Sequence, residues 1–261
     1  MTATLFSLGP VEALFLVAIG VVTGIISTIA GGASIVSYPG LVFMGLTPIV
    51  ANATNFIAVA PASFAAVWVD RRRLPAVTGD VARVFLASLL GAVGGGLALV
   101  ATGEALYRAI VPALLGFATL LYWAAPAVQQ RFARDGGERY PLWLIACFAL
   151  AAAYSGYFGT GYGVILLALL RLAGVADFVR ANMLKNMIAS VASVGTIGFF
   201  VSMTKLVSWP HAAFIIVGNI VGGVVGAWLV HVLPGEAVRR AIILVGCVVT
   251  AVFAWRYWLA G

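Results

Sequence analysis

Long apolar runs make up most of this chain and limit what it can fold into. Eight of them have about the 20 residues that an α-helix needs to cross the hydrocarbon core of a bilayer. Hydrophobic residues make up 63% of the 261 residues and charged residues only 9%, against about 25% charged in soluble domains. The chain is therefore predicted to be an all-α polytopic integral membrane protein with one transmembrane domain over 1–261. The eight runs lie at about 11–29, 48–69, 81–101, 104–125, 141–158, 177–203, 209–232 and 236–259.

The net charge of +7 has a different meaning here than in a soluble protein. In a soluble domain it would suggest nucleic-acid binding, whereas in a membrane protein Lys and Arg concentrate in cytoplasmic loops. No nucleic-acid partner is predicted. The lipid bilayer is the expected surrounding, and a homodimer is left open.

Two polar breaks interrupt the apolar sequence, and each has the same plan. The first is Ala30-Gly31-Gly32-Ala33-Ser34, and the second is Gly159-Thr160-Gly161-Tyr162-Gly163. Each break is followed by an apolar piece too short for an ordinary span, at about 34–46 and 163–173. Each short piece is followed in turn by a long run that opens with amides. These amide segments are Asn52-Ala53-Thr54-Asn55 and Asn182-Met183-Leu184-Lys185-Asn186.

The recurrence of this plan indicates an internal duplication. At an offset of 130 residues, identical pairs include Gly31 with Gly161 and Asn52 with Asn182. Near the end of each half, Gly103-Glu104-Ala105 matches Gly235-Glu236-Ala237. We therefore predict repeat 1 at about 1–128, a polar linker at about 129–140 and repeat 2 at about 141–261, giving eight long spans and two short broken or re-entrant helices, about ten helical elements.

Two orientations of the repeats remain open. If the short pieces cross the membrane, each half has five crossings and the second half is inverted, which puts most Arg residues on one side. If the short pieces are re-entrant, each half has four crossings and the halves are parallel. The positive-inside rule favours the inverted repeat, while the short lengths of the two pieces favour re-entrance.

Rows of small residues recur every four residues in one run of each half. Ala87, Gly91 and Gly95 form the first row, and Gly218, Gly222 and Gly226 form the second. Such rows let helix backbones approach closely in lipid, so they predict helix packing, with pore lining as the alternative.

The polar breaks suit an anion. A helix that restarts after Gly31-Gly32 or Gly161 has first-turn N–H groups without intrahelical partners, at its positive end. Ser34, Thr160 and Tyr162 could add hydroxyl donors. The alternative is that the glycines serve only a tight helix crossing. The amide segments also have two interpretations. Their side chains either line the transport path, or they form hydrogen bonds to the opposite break, because buried amides need hydrogen-bond partners.

Lys185 is a cation inside an apolar run. It lies eight residues into the run 177–203, a rise of about 12 Å, which is far for a side chain that snorkels to the interface. All eight acidic residues lie at the ends of predicted spans or in loops, so neither a mid-membrane proton carrier nor a cation site is indicated. Lys185 is therefore predicted to face a cavity and hold an anion, with snorkelling as the alternative.

Enzyme chemistry is not indicated. The apolar runs hold no paired carboxylates, no activated nucleophile and no metal-ligand spacing, so no catalytic residue, metal or cofactor is predicted. The two breaks are instead predicted to face each other and form a transport path for a small anion.

The motifs resemble the TauE/SafE family of sulfite and organosulfonate exporters. The features that carry the resemblance are the Gly31-Gly32-x-Ser34-Ile35 break, the short piece containing Pro39, and Asn52-Ala53-Thr54-Asn55, all duplicated. The family usually has a more glycine-rich first break, where this chain has Ala30 and Ala33. The resemblance covers nearly the whole chain and implies a multi-pass protein of a bacterial or archaeal cytoplasmic membrane. It places the path at Gly31, Gly32, Ser34, Asn52, Asn55, Gly161, Gly163, Asn182 and Asn186.

The function implied is export of sulfite or an organosulfonate such as sulfoacetate. An anion channel of the same architecture, or a permease for thiosulfate or a carboxylate, stays open as an alternative. Anion flux that saturates and exchanges would identify a transporter, whereas a current that follows voltage would identify a channel.

Overall fold

The structure, a computed structural model, describes residues 8–30, 34–131, 138–229 and 235–259, and in these ranges all regular secondary structure is helical. The all-α prediction is confirmed. A 3-10 turn lies at Thr204–Leu206 and a π-helical turn at Trp255–Leu259. The α-helices are α1 Pro10–Ala30, α2 Ser34–Phe43, α3 Pro48–Val59, α4 Pro61–Asp70, α5 Gly79–Arg131, α6 Leu142–Tyr157, α7 Tyr162–Leu172, α8 Phe178–Ser202, α9 Trp209–Leu229 and α10 Gly235–Ala254.

Six helical stretches in the described part of the chain are long and apolar enough to cross a membrane, where the sequence predicts eight long spans. The difference has two causes. The predicted runs 81–101 and 104–125 form two helical arms of the one stretch α5, which meet at Gly103, where the backbone is not helical (φ 73°, ψ 159°). The run 141–158 becomes α6, which at 16 residues is short for a span.

Proline and glycine set the helix boundaries around the two short helices. The run 48–69 forms α3 and α4, because Pro61 lacks the N–H that would continue the helical ladder and its ring crowds the preceding turn. Pro48 and Pro61 each occupy the first helical turn, where the missing donor costs little. At the second break, Gly161 adopts the left-handed conformation (φ 85°) immediately before α7, a conformation that glycine adopts without a steric penalty.

Glycine rows join the two halves of the chain. On α1 and α9, an added Cβ at Gly20 or Gly24 would collide with the backbone at Ile215 or Asn219, and one at Gly218 or Gly222 would collide with Val17 or Val21. In these two helices the predicted close packing is confirmed.

The same contact recurs between α5 and α6. A Cβ at Gly91 or Gly95 would collide with the carbonyl oxygens of Ala149 and Ala153. In each pair, the first predicted long span of one half lies against the third predicted long span of the other half.

The same contacts give helix directions. Along α1 and α9, and along α5 and α6, the contacting residue numbers increase together, so the members of each pair run parallel. The first arm of α5 also runs parallel to α8: a Cβ on Gly195 would lie 3.1 Å from the Leu89 carbonyl oxygen, and one on Gly96 would lie 2.8 Å from the Phe199 ring.

The second arm of α5 runs antiparallel to α10. Trp258 donates from Nε1 to the Ala109 carbonyl oxygen at 2.8 Å. Further along α5, a Cβ on Gly116 would lie 3.5 Å from Thr250 Cγ2. The residue numbers increase on one helix as they decrease on the other.

Candidate functional site

A cavity of about 510 Å³ lies among α2, α4, α7, α8 and α9. Its lining includes Ser34, the first residue of α2, and Tyr162, the first residue of α7. The lining also includes Asp70, the last residue of α4, which precedes the exposed turn Arg71–Arg73. The cavity therefore runs from the starts of the two short helices towards the membrane face that carries these three arginines.

The structure brings together eight of the residues proposed from sequence. Gly31 and Gly32 lie outside the described residues. Asn52, Thr54 and Asn55 do not line the cavity. The eight that line it are Ser34, Thr160, Gly161, Tyr162, Gly163, Asn182, Lys185 and Asn186.

The turn that leads into α7 is held in place from α6. Tyr154 donates its hydroxyl hydrogen to the Thr160 carbonyl oxygen at 2.6 Å, and Gly161 accepts the Val164 N–H at 3.0 Å. A Cβ on Gly161 would lie 3.3 Å from Leu121 Cδ1, so it would point towards α5. The wall of the cavity at this point is thus helix-start backbone at the positive end of α7. The Tyr162 and Val164 N–H groups already bond the Gly159 and Gly161 carbonyl oxygens, which leaves the Gly163 N–H as the first-turn donor for an anion.

Lys185 reaches the cavity from α8. Its Nζ donates to Asn182 Oδ1, one turn earlier, at 2.7 Å. Among the described residues, no carboxylate lies within ion-pair distance of it. An ammonium group has three donors, and the bond to Asn182 uses only one of them, which leaves the positive charge available to a bound anion.

Two buried polar atoms in the cavity wall lack partners in the described structure. Thr160 is 1% exposed and its Oγ1 makes no hydrogen bond, and Asn219 is 2% exposed and its Nδ2 makes none. Buried polar groups are normally paired. Both atoms are enclosed in this conformation, so they reach a ligand or water only after a local rearrangement of the wall.

Sequence reasoning did not propose five polar residues of this wall as site residues, which are Ser27, Ser63, Ser155, Ser193 and Asn219. Three of them left a signal in the sequence. Asn219 is a lone amide in the apolar stretch Ile-Val-Gly-Asn-Ile-Val, and Ser193 matches Ser63 at the repeat offset. Ser63 and Ser193 both line the cavity.

The amides of α3 make contacts away from the cavity. Asn52 donates from Nδ2 to the Tyr157 carbonyl oxygen at 2.8 Å, and Ser37 donates to Asn55 Oδ1 at 2.5 Å. Thr54 Oγ1 accepts the Ser208 N–H at 2.9 Å. In this conformation these side chains join α3 to α2, to the end of α6 and to the start of α9.

The polar groups that line the cavity suit a small anion. It contains one ammonium group, amides, hydroxyls and helix starts, with Asp70 near the arginine-bearing face. Across the described ranges, no group of three His, Cys, Asp or Glu side chains is placed to hold a metal ion.

Comparisons with known proteins agree with a membrane-transport role. A family model described as "Sulfite exporter TauE/SafE" matches residues 16–253. The "Probable membrane transporter protein YfcA" of Escherichia coli (strain K12) is 24% identical over 250 residues, which are 95% of this chain and 91% of that protein. A "Probable membrane transporter protein" of Haemophilus influenzae is 23% identical over 236 residues, or 89% and 91% of the two chains. No solved structure matches.

Proposed function

We propose a substrate and a route for this chain from the premise that it belongs to the TauE/SafE family of sulfite exporters, whose model matches residues 16–253. The chain is a multi-pass membrane transporter with bacterial homologues. The substrate is a small sulfur-containing anion, either sulfite or an organosulfonate such as sulfoacetate. It leaves the cytoplasm of a bacterium or archaeon through the cavity between the starts of α2 and α7.

The observation that carries this proposal is Lys185, a cation without an ion-pair partner among the described residues, in a cavity that two helix starts also reach. A charged side chain at membrane depth costs about 2.5–3.5 kcal/mol on insertion scales. A bound anion and a hydrated cavity offset that cost. Lys185, Thr160 and Asn219 offer one ammonium, one hydroxyl and one amide donor in the cavity wall, and a sulfite or sulfonate group has three oxygens that accept hydrogen bonds.

The position of the cavity supports loading from the cytoplasm. It extends to Asp70, directly before Arg71-Arg72-Arg73. Loops rich in Arg and Lys lie on the cytoplasmic side of bacterial membrane proteins. A cavity that reaches this face takes its substrate from the cytoplasm, which is the direction of an exporter.

Flux into liposomes tests the function. Purified protein is reconstituted, loaded with unlabelled sulfite or sulfoacetate, and supplied outside with a labelled trace of the same anion. We expect saturable counterflow above that of protein-free liposomes, because exchange needs a binding site that faces each side in turn. Uptake no greater than in protein-free liposomes for both anions would contradict the proposed substrates, and a current that follows voltage without exchange would identify a channel.

We also propose that the two halves form an inverted repeat. If the short helices α2 and α7 each count as crossings, the first arm of α5 and α8 run in the same direction, and the second arm of α5 and α10 run in opposite directions. If both short helices are re-entrant, each of these relations is reversed. The parallel contact of α5 with α8 and the antiparallel contact of α5 with α10 support inversion.

Cysteine labelling tests this orientation. In a background without Cys147 and Cys247, Arg72→Cys and Lys205→Cys are exposed to an impermeant thiol reagent from one face at a time. Both positions are exposed, so both should react. The inverted repeat predicts that they react from opposite faces, and reaction of both from the same face would leave the parallel arrangement.

A further inference from the structure

A buried polar cluster lies beyond the inner end of the cavity. We define it as Ser37 and Tyr38 of α2, Asn52 and Asn55 of α3, Tyr107 of α5 and Tyr157 of α6. Ser37 is bonded to Asn55, Asn52 is bonded to the Tyr157 carbonyl, and the Tyr107 and Tyr157 rings meet at 5.6 Å. The polar cluster is therefore continuous across four helices.

The polar cluster lies towards the membrane face opposite Arg71–Arg73. The Tyr157 hydroxyl donates to Thr102 Oγ1 at 3.2 Å, beside the bend of α5 at Gly103. The first arm of α5 begins at Gly79, soon after the arginine turn, and ends at this bend. Phe56 separates the two regions: it follows Asn55 on α3, lines the cavity and stacks on Phe200 with ring centroids 5.7 Å apart.

Several atoms of the polar cluster have no partner in this conformation. Asn52 and Asn55 are 0% exposed, yet Asn52 Oδ1 and Asn55 Nδ2 make no hydrogen bond. Tyr38 and Tyr107 are also fully buried, and their hydroxyls lie near each other without a hydrogen bond of normal geometry. Leaving buried polar atoms unpaired is costly, so a region with this many is expected to gain water or a ligand in another conformation.

The duplication supplies a second, independent observation. At the repeat offset, Asn52 and Asn55 of α3 correspond to Asn182 and Lys185 of α8. Asn182 and Lys185 line the open cavity, whereas Asn52 and Asn55 are enclosed. Two equivalent helix segments thus have opposite exposure, as expected of a transporter built from two related halves and held open to one side.

We propose that the polar cluster is the closed exit side of the anion path, and that in a second conformation it opens to the opposite membrane face and receives the same anion. This inference rests on the proposed function. Asn55 Nδ2 and the Tyr38 and Tyr107 hydroxyls then become donors to the anion. Glu104, which accepts the Ile49 N–H at 3.3 Å, stands beside this exit, where its negative charge favours release.

The contacts that must break for this opening are identifiable. The bond from Asn52 to the Tyr157 carbonyl and the bond from the Ser208 N–H to Thr54 both join α3 to the second half of the chain. The bond from Ser37 to Asn55 lies within the first half. Opening therefore separates α3 from the end of α6 and the start of α9, while α2 and α3 move together.

Accessibility of a buried cysteine tests the inference. Ser37→Cys changes a single oxygen to sulfur, in a background with Cys147→Ala and Cys247→Ala. The matched control is Ala53→Cys, on α3 and equally buried at 0% exposure. An impermeant thiol reagent is applied to intact cells or vesicles from the face opposite Arg71–Arg73, with and without sulfoacetate, which does not react with the reagent. We expect Ser37→Cys to react at least ~10-fold faster than Ala53→Cys, and to react more slowly when the anion occupies the exit.

The outcomes separate this inference from the proposed function. Asn55→Cys is a second probe, and labelling is measured on protein that elutes as one symmetric gel-filtration peak. If neither probe reacts from the exit face although the parent protein transports, the polar cluster is a structural contact and the exit lies elsewhere. If Ala53→Cys reacts as fast as Ser37→Cys, α3 opens as a whole, and the proposal that the polar cluster is the exit is also rejected. Absence of anion flux in the parent protein would instead contradict the proposed function.

Discussion

Replacing Lys185 with Met is expected to weaken anion binding by about 1.5–3 kcal/mol, the range for a hydrogen bond to a charged group, or roughly 10–150-fold in Kd. The side chain keeps much of its length but loses the charge and all three donors. Because Lys185 has no carboxylate partner among the described residues, its removal should leave no opposite charge unpaired. Folding is therefore expected to survive while binding is lost, as measured by calorimetry with sulfite and sulfoacetate on the purified protein.

The chain contains a matched control for this variant. Lys205, the other lysine in the sequence, is exposed in the turn between α8 and α9. Lys205→Met removes the same charge from the molecule, so equal losses in both variants would indicate a net-charge effect. Lys185→Arg should retain part of the binding, because the charge stays while its geometry changes. A folded Lys185→Met protein that binds as tightly as the parent would remove Lys185 from the site.

Changing Asn182 to Asp is expected to weaken anion binding almost as much as the loss of the lysine does. The substitution keeps the shape of the side chain but turns the Oδ1 atom that accepts from Lys185 at 2.7 Å into part of a carboxylate. At this depth a carboxylate next to the ammonium neutralises it and repels an incoming anion. We expect a loss of at least ~10-fold in Kd, with Lys185 still present, measured by the same calorimetry.

The Asn182→Ala variant shows how much of the effect of Asn182→Asp comes from the added negative charge and how much from the lost hydrogen bond to Lys185. It removes the acceptor but leaves Lys185 cationic, so a loss of only about 0.5–1.5 kcal/mol is expected, the net value of one hydrogen bond. If the Asp and Ala variants bind equally, charge at this position is unimportant and the site depends on helix starts and hydroxyls. If the Asp variant binds as well as the parent, the cavity is not an anion site.

The fold was predictable from sequence wherever a local physical signal was strong. Apolar runs of about 20 residues marked the long helices, and the Gly103 position marked the bend of α5. The break between α3 and α4 was not predicted, although Pro61 was visible, because a proline inside a long apolar run can either kink a helix or end it. Gly103 divides α5 into the two predicted runs, whereas the run 141–158 forms a helix of only 16 residues.

The sequence predicted which types of residue form the candidate site better than it predicted which of those residues line the cavity. The glycine break and amide segment of the second half line one cavity, together with Lys185. The corresponding Asn52 and Asn55 are as polar and as near to a helix start, yet they are buried. Sequence cannot distinguish these two equivalents, because which of them is open depends on conformation and not on residue type.

The glycine contacts between α1 and α9 have a consequence for biosynthesis. The ribosome completes α1 about 200 residues before it completes α9, an interval of roughly 10–40 s at about 5–20 residues per second. During that time the surface at Gly20 and Gly24 faces lipid or other segments of the nascent chain. The first half of the chain thus cannot assemble fully as it emerges, and final packing in the membrane waits for the last quarter of translation.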